Sequence, residues 1–175
     1  VSQVRVNGSG LWDLNEQEEE VANLVLSEGG DVTTGPSGKL RLGIGANMTV
    51  IPNTSSTVQN AKIFGHLELM LGAHTITVDE GLATGTGSSE LTILANVEGV
   101  GALQKNGKGR LEMNGANSYA GTTTIEEGEL KISSALALGS TLSGTRVEFI
   151  GSLRLNGVQV VDETLSLDSI GSPGT

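Results

Sequence analysis

The side chains with chemical potential are few. His66 and His74 are the two histidines, and Glu68 lies between them. Together they would make a His-Glu-His set for a divalent metal if the chain turned all three the same way. Two imidazoles without tight spacing are a weak metal signal, and surface strand positions are the plainer reading. Acidic clusters at Glu18–Glu20, Asp79-Glu80 and Glu126-Glu127 would suit calcium. None follows the helix–loop–helix calcium pattern, and the Gly29-Gly30-Asp31 start of a calcium nonapeptide is not iterated. They read as solvated turns. Gly101–Lys108 has the outline of a phosphate loop. Its glycine spacing is one residue too long, however, and Gly109 stands where Ser or Thr is needed. No Gly-x-Ser-x-Gly elbow and no Ser-His-Asp ordering is legible. Two carboxylates on neighbouring segments could lie about 5–9 Å apart, as glycoside hydrolysis requires. Trp12, Phe64, Tyr119 and Phe149 are the only aromatic residues, so little surface is left for stacking sugars. The expectation is a non-enzymatic chain with no cofactor and no metal.

Any such residues would be positioned by strands. The chain has 175 residues, enough for one domain with its own core. With so few aromatics, that core must be filled by Val, Leu, Ile and Ala, which suits a thin interior of similar layers. There are 26 Gly against 3 Pro, so tight turns are frequent and a Pro-rich linker is excluded. The formal charge of −10 argues against nucleic acid, which needs a positive face, and against anionic membrane surfaces. Its plain role is solubility. No cysteine is present and no apolar run is long enough for a spanning helix. The chain lacks an initial Met and a signal-peptide pattern, and is expected to be a segment of a longer protein.

Apolar residues recur two apart around one other residue. The pattern appears at Leu24–Leu26, Leu40–Leu42, Leu67–Leu69, Ile76–Val78 and Leu91–Ile93. It continues at Leu111–Met113, Leu130–Ile132, Val147–Phe149, Leu153–Leu155 and Leu165–Leu167. Period two means one face in and one face out. Leu91 to Leu111 is 20 residues, Leu111 to Leu130 is 19, and Leu130 to Leu153 is 23. Those intervals are too long for a meander of short hairpins, and they fit one coil of a β-solenoid. The 27 residues from Leu40 to Leu67 imply inserted loops, with Pro52–Asn60 as the excursion. Asn15–Asn23 reads as an acidic turn rather than a helix, and Ser134–Gly139 as a single turn. Four Asn-Gly pairs (Asn7, Asn106, Asn114 and Asn156 leading) would mark hairpins in isolation and coil corners in a solenoid.

At about 20 residues a coil the chain supplies about 7 or 8 coils, a rod roughly 35–40 Å long at about 4.8 Å per coil. Leu24, Leu40, Leu69, Leu91, Leu111, Leu130 and Leu153 are expected inside, and alternate hydroxyls of Thr122–Thr124 outside. Both rod ends would be open strand edges, which favours end-to-end association, and the net charge opposes it.

Residues 101–133 resemble the passenger-associated transport repeat, also called the autotransporter-associated β-strand repeat. The resemblance rests on Leu103, Lys105, Gly107, Gly109, Leu111, Met113, Gly115, Asn117 and Tyr119. It continues through Gly121, Thr122, Thr124, Ile125, Gly128, Leu130 and Ile132, in the order of the family's pattern. Leu11–Thr34 and Ser152–Leu167 look like weaker coils of the same class. Glu126, Glu127 and Glu129 depart from the pattern at positions where family members are often small or polar.

The resemblance implies a right-handed parallel β-helix, a single domain over 1–175 that is a segment of a longer autotransporter passenger. It implies display at a bacterial cell surface and a role in outer-membrane passage, for which a disulfide-free chain stays threadable. The expected function is a structural stalk or spacer that contributes to adhesion. A carbohydrate-active β-helix and a self-associating module stand as alternatives. Expected partners are neighbouring coils or domains of the parent chain, with a host surface or a second copy as candidates. Nucleic acid and direct membrane insertion are not expected. Asn47-Met48-Thr49 and Asn53-Thr54-Ser55 match the N-glycosylation acceptor pattern, which carries no meaning in that setting.

Overall fold

Alternating apolar residues become strands, and glycine-rich steps between them become corners. A computed structural model describes residues 2–53, 60–81 and 88–168. Fifteen strands follow one another among them, with no helix. They are β1 (Ser2–Asn7), β2 (Leu11–Asp13), β3 (Glu18–Ser27), β4 (Asp31–Thr33) and β5 (Lys39–Ile51). Next come β6 (Ala61–Phe64), β7 (His66–Leu69), β8 (Ala73–Val78), β9 (Leu91–Ile93) and β10 (Asn96–Gly99). The last are β11 (Ala102–Asn106), β12 (Arg110–Met113), β13 (Thr123–Ile132), β14 (Thr145–Leu155) and β15 (Leu165–Asp168). Every pairing among them is parallel. The result is a β-solenoid of about 7 turns, as the spacing predicts.

Strands stack on three faces, the third of them only as far as β10. The first face stacks β1, the second half of β3, the second half of β5, β8 and β11. The first halves of β13 and β14, and then β15, complete it. The second face stacks β2, β4, β6, β9, β12 and the second halves of β13 and β14. The third stacks the first halves of β3 and β5 with β7 and β10. Long strands such as β5 bend around a corner and serve two faces.

Registered columns of side chains fill the interior. On the second face Ala61, Leu91, Leu111, Leu130 and Leu153 sit one above another, as the 20-, 19- and 23-residue intervals imply. The longest interval contains a bulge. β14 carries one more residue than β13 between Val147 and Ile150, and Phe149 absorbs it at φ 51°. On the third face Leu40, Leu67 and Val97 stack, so the 27-residue interval is one full turn with an inserted loop. Residues 54–59 of the expected excursion, and with them Thr54 and Ser55 of the second acceptor pattern, lie outside the described residues. Burying each Leu or Ile is worth about 1.5–3 kcal/mol, so the columns carry the fold.

The expected inward residues are buried except Leu153, which is half-buried below the last coil. They divide among the three faces rather than forming one column. Thr123 points in, while Thr122 and Thr124 lie nearer the surface. Two expectations are corrected. The acidic turn is limited to Asn15 and Glu16, both at positive φ, and Glu18–Glu20 already belong to β3. The adjacent strand offers Lys39 and Arg41 beside Glu18 and Glu20, so the acids fit an outer strand row. Glu126 and Glu127 likewise lie within β13 rather than in a turn. Ser134–Gly139 is a turn, held by bonds from Ala137 N–H to Ser134 O and from Gly139 N–H to Leu136 O. The Asn-Gly pairs are corners and join no hairpin.

Candidate functional site

No group of three or more metal-ligating side chains exists among the described residues. His66 faces outward on β7, its Nε2 3.3 Å from Pro36 O. His74 points inward on β8, fully buried, between Ala46 O (2.8 Å) and Met70 O (2.7 Å). They occupy different faces, so the His66–Glu68–His74 set is not assembled. The supposed phosphate loop is β11 and its following corner. Gly107 takes φ 76° there, and any Cβ on it would lie 2.4 Å from Val78 O, so glycine is required.

The polar chemistry concentrates in the turns spanning residues 101–144, and much of it is inside. On the first face one column runs Val4, Leu24, Met48, Ile76, Lys105, Ile125, Val147 and Leu167. Lys105 is the single charged member and is fully buried. Its ammonium donates to Asn106 O (2.8 Å), Gly107 O (2.6 Å) and Glu127 O (3.0 Å). All three of its donors are matched by backbone acceptors. Burial pushes the amine down to about 8, with Glu127, Glu90 and Asp79 opposing. The side chain thus fastens one corner to the turn above.

Asn117 does a strand's work on the third face. That face has no regular strand after β10 among the described residues. Asn117 Oδ1 accepts Val97 N–H at 2.8 Å, and its Nδ2 donates to Ala137 O at 2.6 Å. One buried carboxamide therefore bridges the turn below and the turn above. Tyr119 is fully buried beside it. Its hydroxyl meets Thr123 Oγ1 at 2.5 Å, and Thr123 Oγ1 donates to Leu138 O at 3.1 Å. Burial pushes the phenol well above its ordinary range. Gly139 closes over the ring at φ 83°, where a Cβ would lie 2.9 Å from Cε2.

The remaining repeat positions divide between core and corners. Leu103, Leu111, Met113, Leu130 and Ile132 are buried column members beside Ile125. Gly109, Gly115, Gly121 and Gly128 sit where a Cβ would come within about 2.2–2.4 Å of the turn below. Thr122 and Thr124 line the outer surface, and Thr122 reaches Ser143 O at 3.5 Å.

Outside, charges form rows along the axis. Arg41 pairs with Glu18 and Glu68, each at 2.8 Å, and Lys39 pairs with Glu98 at 2.6 Å. Hydrogen bonding from Arg41 holds the Glu68 carboxyl below its usual range. Glu112 receives Lys131, Ser133 and Ser89, each at 3.1 Å. Burial there raises its carboxyl, and those donors outweigh it, so the net shift is downward. Arg110 pairs with Glu129. These carboxylates are matched across turns and do not converge on a cleft. A recess of about 500 Å³ lies on the edge between the third and first faces, beside Glu20, Asn23, Ile44 and Asn47.

Residues 103–132 match the family model described as passenger-associated-transport-repeat, so the chain carries an autotransporter passenger repeat. The chain is also similar to a protein described as "Adhesin BmaC autotransporter" of Brucella suis biovar 1 (strain 1330). The identity is 34% over 94 residues, which is 49% of this chain and 3% of that protein. The chain thus corresponds to a small part of that relative's length. No solved structure matches.

Proposed function

We propose that this chain, with its passenger repeat, is a stalk segment of a surface-displayed autotransporter passenger, spacing and presenting other parts of its parent protein. The observation that carries the reading is the continuity of the interior. Registered aliphatic columns run through successive turns, and parallel pairing links each turn to the next. Such a stack is stiff along its axis and adds length in equal steps. The matching of outer carboxylates across turns supports a non-enzymatic role, and the repeat supports a part in outer-membrane passage.

The test places the chain between an N-terminal epitope and an outer-membrane translocator and counts epitope on intact cells. Epitope display is expected with the wild-type chain and is expected to fall with a variant that cannot close the repeat, such as Tyr119→Ala. Equal display from an unstructured linker of the same length would remove the stalk reading.

A contribution to adhesion is the second reading. The relative is named an adhesin, and exposed aliphatic residues follow one another on the edge between the third and first faces. Ile44, Leu71 and Val100 occupy that edge in successive turns. Replacing all three with Ser should reduce attachment of displaying cells to host surfaces while leaving display intact. Unchanged attachment would remove this reading alone.

A further inference from the structure

The four Asn-Gly pairs share one sequence and occupy four different environments. An Asn-Gly step is the sequence most open to cyclisation, because glycine leaves the following backbone nitrogen unhindered. That nitrogen must be free to move onto the Asn Cγ. At Asn106-Gly107 it is not: Gly107 N–H lies on Asn106 Oδ1 at 2.8 Å, but a Cβ on Gly107 would sit 2.4 Å from Val78 O, so the backbone cannot rotate to complete the ring. Asn106 Nδ2 is also held by Glu126 Oε2 at 3.2 Å, and Gly107 packs on Val78. At Asn114-Gly115 the glycine is buried, and a Cβ there would lie 2.2 Å from Ala95 O, so the backbone cannot rotate. At Asn7-Gly8 the Gly8 N–H donates to Ser27 O at 2.9 Å, and Asn7 Oδ1 accepts the Ser27 hydroxyl at 2.5 Å.

Asn156-Gly157 differs in its glycine. Both residues are exposed, and nothing lies within 4 Å of the Gly157 Cβ position. The Gly157 N–H makes no hydrogen bond among the described residues. Asn156 is anchored by its own N–H to Ile132 O (2.9 Å) and by its Nδ2 to Ser133 Oγ (3.1 Å). Those contacts hold the carboxamide of an exposed residue beside an exposed glycine.

We propose that Asn156 is a spontaneous modification site, converted in the folded protein to aspartyl and isoaspartyl residues by attack of the Gly157 nitrogen. The Gly157 N–Cγ bond forms as the Cγ–Nδ2 bond breaks. The Gly157 amide proton and the Nδ2 amino group leave as ammonia. One water then opens the succinimide at either carbonyl, and no other reactant is needed. The product adds one negative charge to a chain already at −10. The isoaspartyl form also adds a methylene to the backbone between β14 and β15, the strands that end the stack.

The test incubates the folded 175-residue chain in mildly alkaline buffer and follows each Asn-Gly peptide by mass and by isoaspartyl content. A parallel incubation in denaturant removes the fold. In the folded chain Asn156 should convert at least about ten-fold faster than Asn106 or Asn114, the factor one or two net hydrogen bonds supply. Asn7 should fall between them, and the four should converge in denaturant. Amide exchange at Leu165–Asp168 should rise with conversion and stay unchanged in Asn156→Gln. The proposal is overturned by Asn106 or Asn114 converting as fast as Asn156 in the folded chain. An equal advantage for Asn156 in denaturant, or no conversion at all, overturns it equally.

Discussion

The lower turns, up to β10, and the turns of the passenger repeat reach the same cross-section by different means. Below, the third face is built from true strands, with Leu40, Leu67 and Val97 stacked and backbone paired to backbone. Above, that face has no strand, and Asn117 supplies the missing bonds from its side chain. Below, the first-face column is aliphatic, whereas above it admits Lys105 and satisfies it with three carbonyls. Apolar columns tolerate change in proportion to volume lost. A buried polar pillar fails when one partner is removed, because the other stays desolvated. The repeat should therefore be the less forgiving half.

Tyr119→Ala should have the largest effect. It empties a fully buried site and orphans the Thr123 hydroxyl, so a loss of about 3–5 kcal/mol is expected in denaturant unfolding. Leu67→Ala in the lower turns should cost about 2–5 kcal/mol and show no polar signature. A Leu67 loss exceeding that of Tyr119 would reverse the comparison.

Asn117→Ala should follow, at about 2–3 kcal/mol, by stranding Val97 N–H and Ala137 O. Exchange protection at Val97 should fall with it. A neutral outcome there would mean the third face holds without the carboxamide bridge.

Lys105→Met should cost about 1–3 kcal/mol at neutral pH, because three carbonyls lose their donor. Its pH dependence is more diagnostic. The folded amine sits at about 8 against an ordinary 10.5, so the folded state binds fewer protons between those values. Wild-type stability should accordingly rise as pH climbs through that window, and the rise should vanish in Lys105→Met. A rise of equal size in the variant would show that another group titrates there.

Arg41→Ala should have the smallest effect. Its pairs with Glu18 and Glu68 are at least partly open to solvent, so most of any loss should disappear in high salt.

The lower turns and the second face were the legible part. Leu91, Leu111, Leu130 and Leu153 recur at nearly even intervals because each marks one turn of the same column, and alternation records their burial directly. The repeat's third face was not legible as structure. Asn117 and Tyr119 stand in a run of small and polar residues with no alternation, which reads as loop. Their motif could be matched, but inward orientation is set by the turns above and below. Lys105 is similar, since a lysine in an alternating strand reads as solvent-facing until three carbonyls are found around its ammonium. Glu18–Glu20 read as a turn because the cationic strand that accepts them, Lys39–Leu42, comes a full turn later in the chain.

Parallel, in-register stacking of turns is the claim on which stalk, repeat and corner chemistry all depend. The chain has no cysteine, so paired substitutions report on it cleanly. Thr49 and Thr77 are register partners on adjacent turns, and neighbouring strands lie about 4.8 Å apart, within disulfide reach. Thr49→Cys with Thr77→Cys should oxidise readily in the folded protein, and Thr49→Cys with Thr75→Cys should oxidise poorly. Preferential bonding of the offset pair, or none in either, would contradict the stacked solenoid.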